Sequence, residues 1–197
     1  MQLLQKLFGK KSENKGIVGV SLLPNGIALA VAKKADNNKL RLTHCEFIPT
    51  LKTTEQSAVL RDLVARYSLN EYNCHWVLTT DNYRRANIEA PAVAEHEMRE
   101  AIRWKIADLI DFAIEKAAID YYSVPVSMRA SSKMLEVVVS PNTLIKELAD
   151  QATAAGLQLK VIDIQETVLR NLAVLLPENK RGVAVLHLQE SSGTILI

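Results

Sequence analysis

The chain has 197 residues, 48% of them apolar, and its 24 basic and 22 acidic side chains leave a net charge of +2. That length supports one ordinary domain or two small ones, and basic residues scattered among acids argue against a nucleic-acid partner. No apolar run approaches the roughly 20 residues of a membrane span, and Met1–Lys11 has too short an apolar core and no cleavage site for a signal peptide, so a cytosolic location is expected.

Residues 1–15 read as an N-terminal tail. MQLLQKLF sets Leu3, Leu4, Leu7 and Phe8 at helical spacing among Lys6, Lys10 and Lys11. Two readings stay open. A basic amphipathic stretch attracts anionic lipid or a docking partner. One or two isolated helical turns are also marginal in water, which favours an unstructured leader.

Ile17–Leu22, Gly26–Lys33 and Leu40–Phe47 predict three strands in an antiparallel meander. Leu23-Pro24-Asn25-Gly26 is the first turn, with Pro fixing φ and Asn-Gly accepting positive φ. Asp36-Asn37-Asn38 is the second. Thr53–Tyr67 predicts a helix, with Thr53 and Gln56 as a capping box and Val59, Leu60, Leu63, Val64 and Tyr67 on its apolar face. Cys74–Thr80 reads as a fourth strand, buried on both sides.

A short strand at Ile88 and a turn precede the longest helix, Glu95–Ile110. Met98, Ile102, Ile106, Leu109 and Ile110 share one stripe. Trp104 points well away from it and either makes a core contact elsewhere in the chain or lines a groove. Val124–Val126 and Met134–Val139 predict strands around a polar turn at Arg129–Lys133. Ser140-Pro141 then reads as a cap and first-turn proline. The helix it opens has Leu144, Ile145, Leu148 and Ala152 on its apolar face and ends at Gly156. Leu159–Ile164 predicts a strand and Glu166–Leu176 a helix stopped by Pro177. Val183–Leu188 and Thr194–Ile197 are strands flanking Gln189–Gly193.

Little here announces a chemistry. Cys45 and Cys74 lie in apolar runs and read as buried, reduced thiols. His44, Cys45, Cys74 and His75 offer at most one ligand per strand face, short of the three or four that zinc needs, so no metal is expected. Glu95, Glu97 and Glu100 complement a helix dipole, with His96 solvated beside them. No Gly-x-Ser-x-Gly, Walker loop or dinucleotide fingerprint occurs, and no catalytic residue or cofactor is expected.

Four stretches carry a family resemblance: Leu7–Lys11 (LFGKK), Ala101-Ile102-Arg103-Trp104, Asp120-Tyr121, and the strand–Asp–helix run Val161–Arg170. With the strand–strand–strand–helix–strand opening, they make the chain resemble the PilM-type actin-like proteins of type IV pilus assembly. The likeness is strongest to the MshI-type branch, which serves mannose-sensitive haemagglutinin (MSHA) pili. Asp111 departs from the pattern, since the family usually has proline there.

The resemblance implies an α/β fold of the actin-like (ASKHA, ribonuclease H-like) class with an inserted α+β subdomain. It divides the chain into 16–83 with 141–182 as the actin-like subdomain, 84–140 as the insert, and 183–197 as the start of a truncated second actin-like domain. It also locates two phosphate hairpins. In actin-like ATPases each carries an Asp followed two residues later by Gly, because backbone must approach the phosphates and a carboxylate must place Mg²⁺. Here Ser21 stands at the first acid position and Leu23 at the glycine, while Pro24 removes an amide donor. His187 and Gln189 occupy the corresponding places in the second hairpin, and Glu190 adds negative charge. No nucleotide and no enzymatic activity are therefore expected.

The implied partner is the cytoplasmic tail of a PilN-like bitopic inner-membrane protein. It would lie in a groove between the first subdomain and the insert, bordered by Arg103 and Trp104. The protein would be cytoplasmic and peripheral to the inner membrane, meeting the membrane only indirectly or through its N-terminal tail. The alternatives are the cytoplasmic part of a GspL-type secretion protein and a working actin-like ATPase.

Overall fold

The computed structural model describes residues 15–35, 39–50, 52–124, 132–189 and 193–197. The Asp36–Asn38 turn, most of the tail and most of the expected Val124–Val126 strand lie outside them. The chain forms two compact units. One runs to Leu78 and resumes at Gln151; the other is Thr79–Asp150.

The first unit is built on a five-stranded sheet. Strands β1 (Gly16–Leu23), β2 (Gly26–Lys34) and β3 (Leu40–Pro49) form the meander. Strand β4 (Asn73–Leu78) lies parallel to β1 and to β8 (Gln158–Ile164), giving the order β3-β2-β1-β4-β8. Period-two alternation puts Val18, Val20, Ile27, Leu29, Val31, Cys74, Trp76 and Leu78 on one buried face. Burying each large side chain contributes roughly 2 kcal/mol. Helix α1 (Thr53–Tyr67) packs on β2 and adds buried Leu60, Leu63 and Val64.

Several local expectations are corrected. Strand β4 is not buried on both sides: it alternates, and His75 and Val77 are only half-buried. Cys45 is exposed, because β3 is the sheet edge and Cys45 lies opposite Ala30 on its less covered face. The β1–β2 turn uses Pro24 and Asn25, and neither Asn25 nor Gly26 has a positive φ. Gly26 is required for space instead, since a Cβ there would sit 2.4 Å from the Ile48 carbonyl oxygen and 2.6 Å from the Phe47 ring. Lys52, which has no acceptor to cap with, holds the N-cap of α1, and Gln56, the expected capping-box partner, is engaged elsewhere.

In the second unit β5 (Arg84–Glu89), β6 (Ala117–Ser123) and β7 (Met134–Pro141) form an antiparallel sheet in the order β5-β7-β6. Helix α2 (Met98–Ile106) covers one face. Its Met98, Ile102 and Ile106 are buried among Ile88, Ile119, Leu135, Val137 and Val139, as the stripe predicts. The helix is shorter than expected: Ala107–Leu109 is a 3-10 turn and Ile110 is extended. Leu109 is therefore exposed. Strand β6 begins three residues before Asp120. Ser140 and Pro141 end β7 rather than capping a helix, and the Ser140 hydroxyl donates to the Asn82 carbonyl at 2.8 Å.

Helix α3 (Asn142–Ala154) returns the chain to the first unit. It closes in a Schellman motif, with Gly156 at φ +83, Gly156 N–H on Thr153 O at 3.0 Å and Leu157 N–H on Ala152 O at 2.8 Å. Helix α4 (Gln165–Ala173) follows β8, and Pro177–Arg181 forms a 3-10 turn. Strands β9 (Val185–Leu188) and β10 (Gly193–Leu196) pair only with each other among the described strands.

Candidate functional site

The β1–β2 hairpin turns at the C-terminal end of parallel strand β4, the side on which open α/β sheets hold ligands. Several of its polar groups bond within the protein. Ser21 Oγ donates to the Val77 carbonyl at 3.0 Å, which ties β1 to β4. The Gln56 amide donates to the carbonyls of Leu23 at 2.7 Å and Gly26 at 3.4 Å, and to Thr50 Oγ1 at 3.2 Å. The Asn25 carbonyl accepts the Thr50 N–H at 3.0 Å. A phosphate cradle offers converging backbone N–H groups. This turn presents carbonyls bound to α1 and an exposed Pro24 that has no N–H.

The β9–β10 hairpin is held in the same unit by one buried side chain. Gln165 opens α4 directly after β8. Its amide nitrogen donates to Thr194 Oγ1 at 2.8 Å and lies 3.1 Å from His187 Nδ1. His187 and Gln189 are both half-buried. Register carries the connection onward: Ser21 binds Val77, Val77 is paired with Asp163, and Asp163 lies two residues before Gln165. Asp163 itself accepts from the Ile164 N–H at 2.8 Å and from the Thr167 hydroxyl, fastening the start of α4.

Sequence reasoning gave Gln56 a capping role it does not have and missed Gln165. Both stand in the first turn of a helix that follows a strand, which is the one signal that pointed to them. A second feature was hidden by reading β4 as doubly buried. An open cleft of about 290 Å³ lies on the less covered sheet face, floored by Gly19, Ala30 and Ala32 and bordered by Leu42, His75 and Asp163.

In the second unit Arg103 and Trp104 have different situations. Arg103 is largely covered: Nη1 donates to the Ile114 carbonyl at 2.8 Å, and Nε lies 3.6 Å from Glu100. Trp104 is 73% exposed, so it makes no core contact and stands on the surface of α2. Asp111 forms an exposed ion pair with Arg84 at 3.3 Å and borders a cleft of about 280 Å³ with Tyr83 and Phe112.

Cys74 is buried, and burial pushes its thiol up to about 12. Among the described residues no three His, Cys, Asp or Glu side chains gather closely enough to hold a metal ion.

No family model and no curated protein matches the chain. Solved structures do. A chain of the PilM–PilN type IV pilus biogenesis complex superposes with a TM-score of 0.71 at 18% identity, over 91% of this chain and 56% of that one. The cytoplasmic domain of EpsL, an inner-membrane component of the type II secretion system of Vibrio cholerae, superposes with a TM-score of 0.60 at 13% identity, over 91% and 70% respectively. The fold is actin-like.

Ser21 and His187, one in each hairpin, both bond to other parts of the first unit. This chain spans little more than half of the chain from the pilus complex.

Proposed function

We infer that the protein is a non-enzymatic platform of a pilus or secretion assembly machine. Its role is to bind the cytoplasmic tail of a PilN-like bitopic inner-membrane protein, and the MSHA pilus is the machine we propose, on the sequence's resemblance to the MshI-type branch. The supporting observation is the superposition on the PilM–PilN complex, with a TM-score of 0.71 over 91% of the chain. The hairpins support the non-enzymatic part: Ser21 and His187 stand where the resemblance expects the acid, Leu23 and Gln189 where it expects the glycine, and Ser21, His187 and the Leu23 carbonyl bond within the protein.

A second reading has its own observation. The EpsL cytoplasmic domain superposes at 0.60 and is covered over 70% of its length, so a GspL-like role in type II secretion follows in second place. An active actin-like ATPase comes third, because it needs the residues that Ser21, Leu23, His187 and Gln189 replace. Calorimetric titration with the tail peptide of a PilN-like protein, beside the GspL-like partner's segment and Mg-ATP, separates the three. Micromolar binding of the PilN-like peptide alone is the expected result. Binding of Mg-ATP, or of the secretion segment in preference, overturns it.

A further inference from the structure

The near-zero net charge conceals an asymmetry. The first 41 residues hold eight basic and two acidic side chains, a net +6 in a chain whose total is +2, so the remainder is net acidic. The fold gathers much of this charge at one end of the five-stranded sheet. Gly16 is paired with Lys33, Lys33 with Arg41, and Lys34 with Leu40. The Lys34 N–H donates to the Lys15 carbonyl at 3.1 Å, and the Ala35 N–H to the Lys39 carbonyl at 2.8 Å. Lys15 therefore meets the sheet at the same end as the β2–β3 connection.

Lys33, Lys34, Lys39 and Arg41 are all exposed. At the same end Lys15 pairs with Glu71. Lys33 and Arg41 are directly opposed across the strands, an arrangement that opposes folding. Leu40 and Leu42 are exposed within the same strand, 50% and 63%. Lys34 shares the sheet face of Leu40 and Leu42 while Lys33 and Arg41 stand on the other, so the leucines and the cations of both faces meet at the end of the edge strand, which an anionic bilayer surface attracts end-on. The charges meet lipid headgroups, and the apolar side chains enter the headgroup boundary. A nucleic-acid surface would use the cations but leave the leucines in water.

We propose that this end of the sheet, Lys33, Lys34, Lys39 and Arg41 with Leu40 and Leu42, is a docking surface for anionic phospholipid. It uses none of the residues assigned to tail-peptide binding, so the two readings fail independently.

Flotation of the full chain with vesicles tests it, comparing phosphatidylcholine alone with phosphatidylcholine mixed with phosphatidylglycerol. The protein should float with the anionic vesicles only. Binding should fall as added salt shortens the screening length from about 10 Å at 0.1 M to about 3 Å at 1 M. The triple variant Lys33→Glu, Lys34→Glu, Arg41→Glu should lose about tenfold or more in vesicle affinity while keeping its melting temperature and its tail-peptide binding. If charge reversal prevents folding, the corresponding Gln variants should show the same loss in smaller measure. Leu40→Ser with Leu42→Ser should weaken binding but keep its salt dependence. Equal flotation on both vesicle types, or none on either, overturns the proposal. So does a folded triple variant that floats like the parent. Stronger binding to an RNA or DNA oligonucleotide at equal salt also overturns it.

Discussion

The amide nitrogen of Gln165 donates to Thr194 and lies 3.1 Å from Nδ1 of His187. One buried residue at the start of α4 thus grips both strands of the second hairpin. His187, which stands where the family resemblance expects an acid, is bound to the protein itself. The first hairpin repeats this arrangement, with Ser21 donating to Val77.

Nucleotide binding is the first test of that arrangement. Calorimetry with Mg-ATP should register no binding. Ser21→Asp with Leu23→Gly should not restore it, because His187 and Gln189 still lack the second acid and glycine and Gln56 still holds the Leu23 carbonyl. Micromolar affinity in the parent chain, abolished by changes in the first hairpin, would show that the loops work despite their composition.

Gln56→Ala tests what holds the first turn. The side chain is buried and donates to Leu23 O, Gly26 O and Thr50 Oγ1. Truncation leaves carbonyls without donors and should cost about 2 kcal/mol in urea denaturation. A change within experimental error would mean that water replaces the amide.

The fold was more legible in the sequence than the site. The meander, α1, the Ile102 stripe and the Gly156 stop follow from periodicity and turn chemistry, which are local. The misreadings arose where a residue's partner is distant in sequence. Gln56 fits a capping box by spacing, yet it bonds to a turn 30 and 33 residues earlier. Ser140 fits a helix cap, yet it bonds to Asn82, 58 residues away. Cys45 sits in an apolar run but is exposed because β3 has no strand beyond it in the described sheet. Helix α2 stops at Ile106 although its apolar pattern runs on, and Arg103 fixes the following segment through Ile114 O.

Ile102 is fully buried in the second unit. Ile102→Asp places an unpaired carboxylate among Ile88, Ile119 and Val137, and should destabilise by roughly 3 kcal/mol or more. An unchanged melting curve would contradict the packing of α2.

The two cysteines should separate in an alkylation experiment. Cys45 is exposed and should react with iodoacetamide in the native protein. Cys74 is buried, and its thiol, pushed up to about 12 by burial, stays protonated through neutral and mildly alkaline pH. Mass spectrometry should find one modified site per native chain and two after denaturation. Rapid native modification of Cys74 at neutral pH would mean that the sheet face opens readily.

Trp104 and Arg103 are neighbours in sequence, but their surroundings predict opposite outcomes. Trp104 is 73% exposed, so Trp104→Ala removes little packing and should leave the melting temperature almost unchanged. If the indole is a wall of the tail-peptide site, the same substitution should weaken a PilN-like tail peptide by about 2 kcal/mol. Arg103 instead spends its guanidinium on the Ile114 carbonyl and on Glu100. Arg103→Ala should therefore lower stability first, by about 1 kcal/mol, and affect the peptide only as the 107–114 segment loosens. Titrating the peptide into both variants, with a melting curve for each, separates the roles. Unchanged peptide affinity in a stable Trp104→Ala protein would remove the tryptophan from the binding site.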